Sequence, residues 1–191
     1  MHGMTGLASP VTVRVMASSF IPAFGEVTRE MSTAPDTDTM QIRRATRADL
    51  PTIIKLLADD ELGRQRESPH EPLPEPYYVA FAAIDADPRQ VLVVGELAGE
   101  IVATLQLTFL PYLAYRGGLR AQIESVRVDS RLRGGGLGRQ LFDWAISRAR
   151  EEGCQMVQLT TNASRADAQR FYTRLGFIPS HVGMKLNLRP S

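Results

Sequence analysis

A glycine-rich turn between a strand-like run and an amphipathic segment constrains this chain more than any other feature. Leu119 to Val128 reads as a long strand. Leu137, Leu141, Ala145 and Ala149 recur every four residues, with Phe142 and Ile146 beside them and Gly153 closing the run, which predicts a helix over Leu137 to Glu152. Between the two lies Arg133-Gly134-Gly135-Gly136-Leu137-Gly138-Arg139. With so few Cβ atoms, the amides from Gly134 to Gly138 are free to face a ligand, and the helix starting there adds the positive end of its dipole. Arg131 and Arg133 bring further positive charge, so the turn suits an anion, and a pyrophosphate fits it.

Spacing separates the phosphate-binding turns that compete for this stretch. A P-loop needs a lysine after its second glycine, and none follows here. A dinucleotide fingerprint needs a third glycine three residues after the second, where this chain has Arg139 or Leu141. What remains is Arg133-x-x-Gly136-x-Gly138, or a plain tight turn with no ligand.

The rest of the chain supplies a framework. Gln41 to Arg44 reads as a short strand, and Asp49 as the N-cap of a helix with Leu50, Ile53, Ile54 and Leu57 on its apolar face. Asp59 to Pro76 is irregular, acidic and proline-rich, and too long for a plain connection. Tyr77 to Ala86 is helical in composition. Gln90 to Leu97 and Glu100 to Leu110 form a hairpin about Ala98-Gly99, and Pro111 to Gly118 is a loop. Met156 to Thr161 reads as a strand, Ala166 to Leu175 as a helix, and Phe177 to Leu188 as two short strands around Gly183. Hairpins followed by helix, strand, helix and strand imply an α+β or α/β fold: a mixed, mostly antiparallel sheet of about six or seven strands with helices on both faces.

At 191 residues one domain is expected. Five of the seven methionines fall within residues 1–39 and Met40, which predicts a flexible extension over 1–39 or a start set too far upstream, with a domain over 40–191. Val11 to Val15 could still add a strand. The balance of 22 basic and 21 acidic residues gives +1, with no basic tail, so neither nucleic acid nor an anionic membrane is expected as partner. No apolar run reaches about 18 residues. The lone Cys154 excludes an internal disulfide framework and a Cys-rich zinc site, and with no secretory leader legible at Met1 to Gly6, a cytoplasmic location is expected.

Two separated motifs carry a family resemblance. Arg133-x-x-Gly136-x-Gly138 is similar to the turn by which the GNAT superfamily of N-acetyltransferases holds the pyrophosphate of coenzyme A. Ile123-Glu124-Ser125-Val126-Arg127-Val128 resembles the central strand of that family, and Ala168-x-x-Phe171-Tyr172-x-x-Leu175-Gly176-Phe177 resembles its second signature. The resemblance spans Met40 to Leu188.

The resemblance implies an acetyl-CoA-dependent N-acetyltransferase that moves the acetyl group directly to a primary amine of a small molecule or peptide, with no metal. It implies a bulged central strand whose Val126 amide meets the thioester oxygen, with Val128 along the pantetheine arm. Arg133, Gly134, Gly135, Gly136, Leu137, Gly138 and Arg139 would cradle the pyrophosphate. Asn162 either touches the cofactor arm or caps a helix. Tyr172 is the implied general acid, an aromatic core residue otherwise, and Glu124 the candidate base, or else an orienting or salt-bridged carboxylate. A homodimer is expected. Acceptor specificity falls to Asp59 to Tyr78, Pro111 to Gly118 and the neighbourhood of His181. Asp59, Asp60, Glu61, Glu67, Glu71 and Glu75 form either an acidic rim suited to a cationic amine or a solvated loop. Cys154 reads as a small buried residue, Trp144 as packing, and His70 and His181 as solvated. A related module that senses acyl-CoA without turnover or serves as a subunit is the rival reading, and the presence of both Glu124 and Tyr172 argues against it. An unrelated nucleotide-binding α/β protein is a further rival, and the failed spacings argue against that.

Overall fold

A computed structural model describes residues 39–188. Within them five strands form one sheet in chain order: β1 (Gln41–Arg44), β2 (Gln90–Leu97), β3 (Glu100–Pro111), β4 (Leu119–Val128) and β5 (Met156–Leu159). Neighbours run antiparallel as far as β4, and β5 lies parallel to β4. The parallel step requires a crossover, which α5 (Leu137–Glu151) supplies. The other helices are α1 (Leu50–Leu57), α2 (Glu61–Arg64), α3 (Glu75–Ala86), α4 (Ala114–Gly117) and α6 (Ala166–Arg174); Tyr115 and Arg116 inside α4 are left-handed.

Alternation on β2 divides the core between the two faces of the sheet. Val91 and Val93 join Leu141, Phe142 and Ala145 of α5. Leu92 and Val94 join Leu50, Ile53 and Ile54 of α1 and Phe81 of α3. A strand apolar on successive residues must be covered on both sides, and that places helices on both faces. The hairpin between β2 and β3 turns through Ala98 and Gly99, both at positive φ (51° and 82°), as a tight two-residue turn demands.

The mixed, mostly antiparallel sheet agrees with the sequence expectation, but five strands stand where six or seven were expected. The shortfall lies in Phe177 to Leu188, where no strand forms. Ile178, Val182, Met184, Leu186 and Leu188 are 81% to 92% exposed, so no burial drives a ladder there and apolar alternation alone does not make one. Asp49 differs as well. A 3-10 turn at Arg47–Asp49 leads into α1, so Asp49 is already helical in backbone, and its carboxylate turns back to Thr46 and Arg43 instead of capping α1. The acidic stretch is better tied than expected: it includes α2, Leu73 is buried, and the Tyr77 hydroxyl donates to Glu67 (2.9 Å) and accepts from the Ser68 amide (2.9 Å). The expectations for Val11 to Val15 and for residues 1–38 lie outside the described residues.

Candidate active site

β4 is bent where the site is expected. Thr104 pairs with Arg127 and Gln106 with Glu124, so Leu105 alone faces both Ser125 and Val126: a β-bulge, with Ser125 at φ 54°. A left-handed serine costs on the order of 1 kcal/mol, and bulges sharpen the local twist of the strand. On its other edge β4 pairs with β5 only as far as Ile123 and Leu159. Residues 124–128 therefore run on beyond the ladder, and the two parallel strands part there. Val126 and Val128 pack on the α5 side of the sheet. By alternation Arg127 faces the other side, where it meets Asp60 between α1 and α2 at 3.4 Å. Glu124 is exposed.

The glycine turn follows. Asp129 caps a 3-10 turn at Ser130–Leu132 by accepting from the Arg131 amide at 2.9 Å. Gly136 is the N-cap of α5 and, like Gly134, is left-handed (φ 85° and 90°), a conformation that an L side chain resists. Among the described residues, none accepts a hydrogen bond from the amides of Gly134, Gly136, Leu137 or Gly138. Gly135 donates weakly to Leu132 (3.4 Å), and Arg139 donates to Gly136 (2.9 Å) within the first helical turn. The turn thus offers four unspent donors at the positive end of a 15-residue helix. Arg133 is already engaged, with Nε on the Val128 carbonyl (3.2 Å) and its guanidinium on Asp59 (3.2 Å); Arg139 pairs with Asp143 at 3.3 Å.

Across the gap, α6 presents Tyr172, its ring set among Phe142, Phe171 and Phe177. Burial pushes the Tyr172 phenol above its ordinary range, and the charges of Arg165 and Arg127 work against that. Asn162 accepts from the amide (2.9 Å) and hydroxyl (2.8 Å) of Ser164, so its oxygen braces the turn ahead of α6 and is not the N-cap itself. Two side-chain polar atoms are buried without a partner among the described residues, Arg127 Nε and Thr161 Oγ1. One lies on β4 past the last residue paired with β5, and the other just past the end of β5. Both atoms lie where β4 and β5 stop pairing, and a ligand or an ordered water there would satisfy them.

An apolar cavity of about 130 Å³ lies between α1, α3 and the sheet and reaches the bulge, with Ile54, Leu57, Tyr77, Gln106 and Ser125 among its walls. A larger open groove of about 920 Å³ takes in Asp59, Ser130 and Arg131 but neither Glu124 nor Tyr172. Neither Glu124 nor Tyr172 lines the smaller cavity, which meets the bulge through Ser125, the neighbour of Glu124.

Four of the six acidic residues singled out in this segment are engaged, and Glu61 and Glu75 are exposed. Asp59 holds Ser130 and Arg133, Asp60 lies between Arg127 and Arg165, Glu67 bonds Tyr77, and Glu71 pairs with Lys55. Arg127, Arg165 and Thr161 were not singled out as site residues from the sequence, because the ion pairs that join the two arginines to Asp60 link distant positions. Cys154 packs half-buried against the core with its thiol pushed up by burial, which is no setting for a nucleophile. Trp144 packs against the same core, and His70 and His181 are exposed. Among the described residues, no helix is long and apolar enough to cross a membrane, and no group of three or more His, Cys, Asp or Glu is placed to hold a metal.

Comparison with known proteins bears on this arrangement. The model of the acetyltransferase (GNAT) family matches residues 52–177. An aminoalkylphosphonate N-acetyltransferase of Salmonella typhimurium is 30% identical over 144 residues, 74% of this chain and 86% of that one. An L-methionine sulfoximine/L-methionine sulfone acetyltransferase of Pseudomonas paraeruginosa is 32% identical over 140 residues, 71% and 78% of the two chains. A crystal structure from Bacillus halodurans, described as a transcriptional regulator, shares 50% identity and superposes with a TM-score of 0.77 over 78% of this chain and all of that one.

Proposed function

Because this chain belongs to the GNAT family of acetyltransferases, we propose that it moves the acetyl group of acetyl-CoA directly to a primary amine of a small molecule. The observation that carries the proposal is the junction of two features at one cleft. Unspent amides at Gly134, Gly136, Leu137 and Gly138 suit a diphosphate, and they stand beside a bulge at Ser125 where β4 leaves β5.

Acetyl-CoA, when bound, supplies an activated thioester. The chain's own residues then divide the work. The turn from Arg133 to Arg139 and Asn162 hold the coenzyme, and Val126 and Val128 line its course along the bulged strand. The Val126 amide steadies the carbonyl oxygen as charge develops there. Glu124 accepts a proton from the amine, directly or through water, and Tyr172 gives its proton to the departing sulfur. A phenol kept protonated by burial is suited to that donation. The two enzymes compared above are named for small molecules that bear an amine and an anionic group, which supports a small-molecule acceptor over a peptide.

A cytoplasmic location and a homodimer belong to the same proposal. The single cysteine supports the first, and the exposed apolar side chains from Ile178 to Leu188 support the second. Light scattering tests the dimer.

A second reading, acyl-CoA binding without turnover, is favoured by the half-identical chain described as a transcriptional regulator. Calorimetric titration with acetyl-CoA, followed by free-thiol release over a panel of small amines, separates the two. Turnover with any amine supports the enzyme, and binding without thiol release supports the sensor. If acetyl-CoA does not bind at all, both readings fail.

A further inference from the structure

Where α1 runs into α2, two carboxylates meet three guanidinium groups. Asp60 stands 3.4 Å from Arg127 and 3.6 Å from Arg165, and Asp59 stands 3.2 Å from Arg133. The carboxylates are largely spent. Asp60 Oδ1 accepts from the Gly63 amide at 2.6 Å, and Asp59 uses both oxygens on the amide and hydroxyl of Ser130. Arg133 is engaged as well, on Val128 and Asp59, but Arg127 and Arg165 are not spent. Arg127 makes one hydrogen bond, to the Val126 carbonyl at 2.9 Å, and its Nε is buried with no partner. Among the described residues, none accepts a hydrogen bond from the Arg165 guanidinium, which is 39% exposed while Arg127 is 16% exposed.

Each guanidinium carries five donors in a plane shaped for carboxylate, phosphonate or phosphate. The cluster therefore holds one positive charge beyond its carboxylates, and Arg127 and Arg165 keep donors that no described residue accepts from. Burial presses the Arg127 cation toward lower pKa, Asp60 opposes it, and the charges of Arg165 and Arg133 add to the pressure. That is the electrostatic state of a site completed by an anion.

Place decides which anion. Arg127 lies two residues past the Ser125 bulge, on the side of β4 opposite Val126 and Val128, whereas the unspent amides of the glycine turn open α5 on the other side. Arg165 opens α6, which carries Tyr172, and Glu124 precedes the bulge. We infer that Arg127 and Arg165 form the subsite for an anionic oxo group, a phosphonate, phosphate or carboxylate, carried by the amine acceptor a few bonds from its nitrogen. The surplus of charge stands by itself; that the ligand is the acceptor rests on the acetyl-transfer reading. Asp60 sets the spacing of the two arginines, and the acceptor so selected carries an anionic group beside its amine.

The test compares aminoethylphosphonate with ethylamine, which differ only in the anionic group. The wild-type protein should release thiol from acetyl-CoA with kcat/KM at least about tenfold higher for the phosphonate, the scale of one charged hydrogen bond. Arg165→Gln should erase about tenfold of that preference through KM and not kcat, Arg165→Lys should restore part of it, and KM for acetyl-CoA should move by less than about threefold. Equal use of the two amines overturns the inference, and so does an Arg165→Gln effect that falls on acetyl-CoA, which would make the arginines coenzyme ligands. If no amine supports turnover, the acetyl-transfer reading fails, and calorimetry with aminoethylphosphonate in the presence of CoA decides. Binding that Arg165→Gln abolishes upholds the anion subsite, and absence of binding to the wild type overturns it.

Discussion

The ring of Tyr172 rests against that of the fully buried Phe142, centroid to centroid 5.4 Å at a tilt of 50°. Phe171 and Phe177 hold it at 5.6 Å and 6.2 Å, so three aromatic neighbours fix where the phenol oxygen points. Tyr172→Phe keeps all of this packing and removes only the hydroxyl. We expect kcat to fall by about a hundredfold or more with CoA affinity kept within about threefold. Because burial raises the phenol, its proton is held through neutrality, and the alkaline loss of activity due to Tyr172 lies above the ordinary phenol value of about 10. A variant with wild-type turnover would make Tyr172 a core residue only.

Gly136 is the N-cap of α5 at φ 85°, and no heavy atom lies within 4 Å of where a Cβ would stand. Its need for glycine is thus conformational, not steric. Gly136→Ala forces an L residue into the left-handed region at a cost of about 1 to 2 kcal/mol, and a turn that relaxes to escape it re-aims the amides of Leu137 and Gly138. Acetyl-CoA binding should weaken by about tenfold while the melting temperature drops only a few degrees. Calorimetry beside thermal unfolding checks this, and a loss of stability with unchanged affinity would refute the cradle.

Glu124 is exposed one residue beyond the last pairing of β4 with β5, directly before the bulge. If it takes the proton of the amine, Glu124→Gln lowers kcat/KM by about a hundredfold near neutrality. The deficit should shrink as pH rises toward the pKa of the amine, since an acceptor that arrives already deprotonated needs no base. A deficit constant from neutral to alkaline pH would assign Glu124 to orientation instead.

What was legible in the sequence divides along physical lines. The β2–β3 hairpin, β4 and α5 read almost to the residue because period, glycine and turn chemistry are local. The bulge was anticipated from the family resemblance, since nothing in Glu124-Ser125-Val126 announces a left-handed serine. The Phe177 to Leu188 segment misled because apolar alternation promises a strand only where a partner exists. The Arg127, Arg165 and Asp60 cluster was illegible for a different reason: its members come from β4, the start of α6 and the α1–α2 turn, and only the fold brings the charges together. Asp59 and Asp60 accordingly read as an acidic rim or a solvated loop, whereas each faces guanidinium groups.

Asp49 shows how such ion pairs govern stability. Its carboxylate accepts from Arg43 (2.7 Å and 3.0 Å), from the Thr46 amide (2.7 Å) and from the Thr46 hydroxyl (2.9 Å), while Arg43 also reaches Glu96 on β2. One buried acid thereby ties β1 to the entry of α1. The hydrogen bonds from Arg43, against the cost of burial and with help from Thr46, hold its pKa at about 2 against an ordinary 3.8. A folded-state value below the unfolded one means that the unfolded chain takes up the proton first as pH falls. The contribution is therefore complete above about pH 4, is lost as pH falls toward about 2, and amounts to about 2 kcal/mol. Asp49→Asn should destabilise by about that much at neutral pH, with the gap to wild type closing between about pH 4 and 2, as urea unfolding at several pH values would measure. Parallel loss of stability in the two proteins over that window would mean that the pairing of Asp49 with Arg43 contributes nothing net.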